Sequence, residues 1–278
     1  MTQSTQIGST SEAQSSGVEV RVEGEVTMSR RAIVRGLATG AVVAFVPGCA
    51  YNEELGRSQL LFVSSGQMAQ LASSAWTDLK RQERLSNDPK YVSRMERVAP
   101  KIIRASGGDP SRWEVQVFAS DQLNAFALPG GKIGFYTGIL DLMDNDAQVA
   151  AVMGHEVAHV KYNHSGERYS QSTLAQTGVS VAQVATSGSQ YGGQIAGVLG
   201  LGASLGVILP FSRKHELEAD KFGLRYMHRA GYDANEAVRF WEKMSAAKQG
   251  GGPPEFLSTH PADATRIAQL RREIALLG

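Results

Sequence analysis

The period of hydrophobic positions changes several times along this chain, and each change marks an element. Residues 1–27 have no period; rich in Ser, Gln, Thr and Glu, they are too polar to bury a core. They read as a disordered extension or as residues upstream of the true start. Residues 28–48 begin with Arg30-Arg31, turn apolar from Ala41 to Val46, and end on Val46-Pro47-Gly48 before Cys49. That order describes an export signal, too short to stay across a bilayer. Residues 49–65 read as a tether leading to a domain over 66–278. Residues 67–84 and 89–104 carry helical spacing, with Met68, Leu71, Ala72 and Trp76 on one face. After a turn at Gly107-Gly108-Asp109-Pro110, residues 113–118 alternate: Trp113, Val115 and Val117 on one side, Glu114 and Gln116 on the other. Residues 123–128 and 132–137 form two more short strands about Pro129-Gly130-Gly131.

The next helix has Asp144 and Asn145 as capping residues and a stripe of Val149, Val152, Met153 and Val157. Residues 169–212 then contain no charged side chain. They read either as packed helices with a glycine-rich loop, or as a lid or a surface that dips into lipid. A helix over 213–229 ends at Gly231, and Asp233 caps another with Val238, Trp241 and Met244 inward. Following a loop at 249–254, Ser258-Thr259-His260-Pro261 opens a last helix buried through Ile267, Leu270, Ile274 and Leu277.

Charge excludes one class of partner. Lys and Arg total 28 against 27 Asp and Glu, so no basic field for nucleic acid exists. The single cysteine excludes an internal disulfide framework. Its place after Val46-Pro47-Gly48 resembles a bacterial lipobox, with Cys49 as the lipidated residue and Val46 and Pro47 departing from the usual pattern. Arg30-Arg31 also hints at twin-arginine export. Ala50 after the cysteine implies, by resemblance to bacterial lipoproteins, the periplasmic side of an outer membrane.

The candidate chemistry lies in Gly154-His155-Glu156-Val157-Ala158-His159. Residues four apart share a helix face, so His155 and His159 can offer two imidazoles to one metal ion, with Glu156 beside the open position as general base. A catalytic zinc needs a third protein ligand. His164 falls one place early for the extended three-histidine pattern. Glu216 and Asp220, four apart on a second helix, have the form of one ligand and one residue that orients a ligand. His164, His215 and His228 read as structural or surface residues.

Four blocks carry a family resemblance: Asn124-Ala125-Phe126-Ala127-Leu128-Pro129-Gly130-Gly131, the His155–His159 motif, Ser212-Arg213-Lys214-His215-Glu216-Leu217-Glu218-Ala219-Asp220, and Thr259-His260-Pro261 with Arg266. Over about residues 60–278 the chain resembles the membrane-associated zinc metallopeptidases that include HtpX, the CAAX prenyl proteases and the periplasmic BepA, LoiP and YcaL. It is most similar to the lipoprotein members of LoiP type. The resemblance implies an α+β, mainly helical zincin-like (gluzincin) domain with a small sheet beside the active-site helix. It implies one zinc per chain on His155, His159 and Glu216, Glu156 as base, and Asp220 behind the ligands. Glu218, about 200° round the helix from Glu216, is expected to face solvent or pair locally. Residues 124–127 are expected to offer a substrate an edge strand. His260 is expected near the metal, as oxyanion donor, fourth ligand or helix cap. The implied function is hydrolysis of misfolded or misassembled envelope proteins; the alternative is assembly of outer-membrane proteins with a gated metal site.

Overall fold

The computed structural model describes residues 48–177, 211–247, 254–261 and 264–277. The expected signal and most of the charge-free segment lie outside them. A two-stranded antiparallel hairpin comes first, β1 (Cys49–Asn52) and β2 (Arg57–Leu60). This corrects the expected tether: Gln59 is buried, and its amide donates to the Tyr162 carbonyl and to Glu167. The polar side chains that made the segment look like a linker are its docking groups.

Helix α1 (Ser65–Gln82) opens with a reciprocal cap between Ser64 and Gln67, and α2 (Pro89–Ala105) with Asp88 and a proline in its first turn. A three-stranded sheet follows, built from β3 (Glu114–Phe118), β4 (Ala125–Leu128) and β5 (Lys132–Tyr136). Its order is β3-β5-β4, with β3 parallel and β4 antiparallel to β5. Alternation divides its side chains between two cores. Val117, Ala125, Ala127, Ile133 and Phe135 join the larger one, while Phe118, Phe126, Leu128 and Tyr136 pack with Met68, Ala72 and Trp76 of α1.

A short helix α3 (Thr137–Leu142) leads to α4 (Asp146–Lys161), capped by the Asn145 side chain on the Gln148 amide. The sequence shows one apolar stripe on α4, yet every residue from Gln148 to His159 is buried. Helices α2, α6 (Arg213–Arg229) and α7 (Asn235–Ala246), strand β4 and α5 (His164–Thr177) pack around it. The nearest neighbour is α6. A Cβ on Gly154 would lie 2.8 Å from the Gly223 carbonyl oxygen, and one on Gly223 would lie 2.8 Å from the His155 nitrogen. Two bare backbones therefore touch directly beside His155, which brings the carboxylates of α6 onto the motif histidines. The chain ends with α8 (Glu255–Thr259) and α9 (Ala264–Ala275). His260 closes α8 rather than opening the last helix, a second correction.

Candidate metal centre

His155 and His159 lie one turn apart on α4, and Glu216 in the first turn of α6 reaches both. His155 Nε2 is 3.4 Å from Glu216 Oε2, and His159 Nε2 is 3.4 Å from Glu216 Oε1. The two Nε2 atoms are 3.0 Å apart. His260 completes the group: its Nδ1 is 3.2 Å from His155 Nε2 and 3.0 Å from Glu216 Oε1. All four donor atoms lie within 4.8 Å of one another.

This set fits zinc. Bonds of about 2.0–2.1 Å in a tetrahedron give donor separations of about 3.3–3.4 Å, close to those found. Imidazole nitrogens and a carboxylate this close, in a buried place, turn lone pairs on one another unless a proton or a metal ion lies between them. Three histidines and one carboxylate are donors that a borderline-soft ion accepts.

Asp220, one turn along α6 from Glu216, supports His155 from behind. Its Oδ1 lies 2.9 Å from His155 Nδ1. Arg266 of α9 clamps the same carboxylate at 2.8 and 2.7 Å, reaches Glu216 Oε2 at 2.8 Å, and lies 4.0 Å over the Trp241 ring. The sequence singled out Arg266 without a role; here it neutralises two buried carboxylates at once. Burial alone would lower the His155 pKa, but Glu216 and Asp220 outweigh it and raise it to about 9. Burial alone would raise the Asp220 and Glu216 carboxyls, and Arg266 leads the groups that hold both below their usual range.

Glu156 occupies the remaining side. Its Oε2 accepts from the Ala127 amide at 2.9 Å, and its Oε1 lies 3.4 Å from His260 Nε2 without a hydrogen bond among the described residues. Burial raises its pKa. The Ala127 contact fixes the strand's geometry. Because the Tyr136 amide donates to the Asn124 carbonyl, Phe126 and Leu128 also bond toward β5, and Ala125 and Ala127 turn their backbone groups away from it. The Phe126 side chain packs between Trp76 and Tyr136, so it offers a substrate no side-chain contact, and Asn124 is buried.

The centre is enclosed. His155, Glu156, His159, Glu216 and His260 are each 1–2 % exposed. Phe211 lies against His159 at 4.0 Å between ring centroids and is stacked on His260 at 5.2 Å, and the Arg168 guanidinium sits 3.6 Å over the Phe211 ring. Sequence reasoning missed both residues, since a phenylalanine and an arginine remote from the motif carry no local signal.

Of the other histidines, His228 is exposed and His215 meets Glu167 at 3.2 Å. His164 is fully buried, with its Nδ1 3.0 Å from His159 Nδ1. Burial lowers its pKa to about 4, which keeps it neutral. Glu218 corrects an expectation: it is 15 % exposed and pairs with Arg57, far away in sequence, at 2.6 and 2.7 Å. Burial would raise its pKa, but hydrogen bonds from Arg57 and His164 bring it to about 2.

Comparison with known proteins agrees with this geometry. The model of peptidase family M48 matches residues 88–274, which include every donor of the centre. The chain is 38 % identical over 181 residues to the mitochondrial metalloendopeptidase OMA1 of Schizosaccharomyces pombe, covering 65 % of this chain and 51 % of that protein. It is 25 % identical over 245 residues to the beta-barrel assembly-enhancing protease of Escherichia coli, covering 86 % and 50 %. With OMA1 of Arabidopsis thaliana the identity is 32 % over 238 residues, covering 84 % and 47 %. The chain thus spans about half the length of these relatives. Matched over most of its described residues and bearing the buried donors that zinc requires, the chain belongs to peptidase family M48, whose metallopeptidases depend on zinc.

Proposed function

We propose that this chain is a zinc-dependent endopeptidase that hydrolyses misfolded or misassembled envelope proteins. The observation that carries the reading is Glu156, held at one oxygen by an edge-strand amide, with the other oxygen turned toward the donor set. His155, His159 and Glu216 would hold the zinc, which supplies Lewis acidity and lowers the pKa of water. Glu156 takes a proton through Oε1 from the attacking water and delivers it to the leaving amine nitrogen. Burial raises its pKa toward the working range, which suits both transfers. Ala125 and the Ala127 carbonyl face away from β5, where an extended peptide can pair through main chain alone, while the Ala127 amide stays on Glu156. Recognition of that kind is indifferent to side chains, as quality control requires.

His260 serves in this proposal as a fourth donor of the resting centre, because its Nδ1 lies among the ligand atoms. The chain is held on the periplasmic side of a bacterial outer membrane by lipid on Cys49, which is exposed at the start of β1. No helix among the described residues is long and apolar enough to cross a membrane. Mass spectrometry of Cys49 in membrane-bound protein checks the lipid; an unmodified thiol there removes it. The enclosure by Phe211 and Arg168 favours a second reading, an assembly factor whose metal site opens rarely.

Metal analysis together with degradation of an unfolded protein, with and without chelator, tests the proposal. One zinc per chain and chelator-sensitive degradation are expected. Glu156→Gln keeps the zinc and loses ~10²–10⁴ in rate. His260→Ala raises turnover if it occupies the resting centre; a fall of ~10²–10³ gives it the oxyanion role instead. A zinc-loaded wild type with no hydrolysis under any condition favours the assembly reading.

A further inference from the structure

The face of His159 turned away from the donor set leads into a continuous chain of buried and partly buried polar groups. His159 Nδ1 is 3.0 Å from His164 Nδ1. His164 Nε2 is 3.2 Å from Glu218 Oε2. Arg57 grips both Glu218 oxygens, Nε on Oε1 at 2.6 Å and Nη2 on Oε2 at 2.7 Å. The same guanidinium donates to Glu167 at 2.7 and 2.9 Å. Four segments meet here, since Arg57 comes from the hairpin, Glu167 and His164 from α5, Glu218 from α6 and His159 from α4.

We propose that Arg57, Glu218 and His164 are positioning residues for the metal centre, which act together to hold His159 in the tautomer that presents Nε2 to zinc. A neutral imidazole has one N–H and one lone pair. Two facing Nδ1 atoms can share only one proton, so the chain has two possible directions. In one, His159 Nδ1–H donates to His164, and His164 Nε2–H donates to Glu218. In the other, His164 donates to His159 and turns a lone pair on the Glu218 carboxylate, while His159 turns an N–H on the donor set. The second direction places a lone pair against an anion and spoils the ligand. A carboxylate accepts and never donates, so the charge of Glu218 selects the first direction. Arg57 keeps that carboxylate charged and fixed, because its rigid fork matches both oxygens.

The arrangement differs from the carboxylate that backs a zinc histidine in many sites. Here a neutral ring stands between the carboxylate and the ligand, and the last member is supplied by the hairpin immediately after Cys49. The inference rests on the proposed metal centre, so its test must separate the two.

Glu218→Gln is the discriminating variant. The amide keeps the size of the side chain, yet its NH₂ can donate to His164 Nε2 and so allows the reversed direction. Zinc affinity by chelator competition is expected to fall about 10–100-fold, the usual effect of losing an outer partner. Arg57→Lys, which keeps charge but not the fork, is expected to fall less. The spectroscopic signature comes from ¹⁵N-histidine NMR of the metal-free full chain, where zinc does not itself dictate the His159 tautomer. In wild type, His164 carries its proton on Nε2; in Glu218→Gln it moves to Nδ1. Wild-type His164 protonated on Nδ1, or zinc affinity of Glu218→Gln within twofold of wild type, overturns the proposal. So does an affinity loss matched by an equal loss of metal-free thermal stability, which a purely structural role produces. If wild type itself binds no zinc, the metal-centre reading fails first, and the His164 resonance still decides whether the chain runs as proposed.

Discussion

The two motif histidines sit one turn apart on the same helix, yet the molecule supports them in different ways. His155 has a carboxylate directly behind it, with Asp220 at 2.9 Å and Arg266 clamping Asp220 in turn. His159 has a neutral ring behind it at 3.0 Å, and the carboxylate comes only after that. Their electrostatics diverge accordingly. Glu216 and Asp220 outweigh burial at His155 and raise it to about 9, whereas burial wins at His159 and lowers it well below its ordinary value. A ligand backed by charge is the more basic donor; one backed by a neutral ring gains orientation without that charge. The Asp220 side is assembled from helices C-terminal to the motif, and the His164 side is completed by the N-terminal hairpin.

The largest effect is expected on the charged side. Asp220→Ala leaves His155 without its partner and removes one of the two carboxylates that Arg266 neutralises, all of it buried. Breaking a buried pair by removing one member costs about 3–5 kcal/mol. Thermal unfolding and zinc affinity should both fall, and by more than in Glu218→Gln. Equal losses would mean that the ring between Glu218 and His159 attenuates nothing, and the contrast would collapse. A smaller effect, common to both sides, is expected from Gly223→Ala. The added methyl presses on the His155 nitrogen and must push α4 and α6 apart. Overpacking of this kind costs about 1–3 kcal/mol. Because Glu216 moves with α6, zinc should weaken too; unchanged affinity with lowered stability would show that the ligands tolerate the shift. The smallest effect concerns acid. Glu218 titrates near 4.5 when unfolded and near 2 in place. The unfolded chain therefore binds the proton first, and the hairpin's attachment weakens as pH falls from about 4.5 toward 2. Hydrogen exchange at Arg57 and Gln59, the bonded positions of β2, in the metal-free protein at pH 6 and pH 3 measures this. Equal protection at both values would show that the Arg57 contact does not depress Glu218.

Much of the site was legible because its spacing is local. His155 and His159, and again Glu216 and Asp220, are pairs four apart on helices that the sequence marks, the first with its cap Asn145 also visible, while the Ser212 cap of the second appears only in the structure. Strand alternation likewise foretold which residues of β3 would share a face. The hairpin was not legible, because Arg57 and Gln59 look solvent-seeking until Glu167, Glu218 and the Tyr162 carbonyl appear beside them. His260 gave a position but no atom, since a histidine before proline fits either a helix cap or a metal site.

Spacing in the chain was enough to pair His155 with His159, to place Glu156 beside them, to pair Glu216 with Asp220, and to mark most of the elements that carry them. A helix or strand repeats its faces every few residues, so chemistry confined to one element is written in its spacing. Tertiary structure alone decided what stands behind each ligand. Arg57 meets Glu218 across 161 positions, and Arg266 meets Asp220 across 46. Contacts at such separations have no period to read. They exist because Gly154 and Gly223 let two helices touch, and because a buried charge must find its partner wherever the fold brings one.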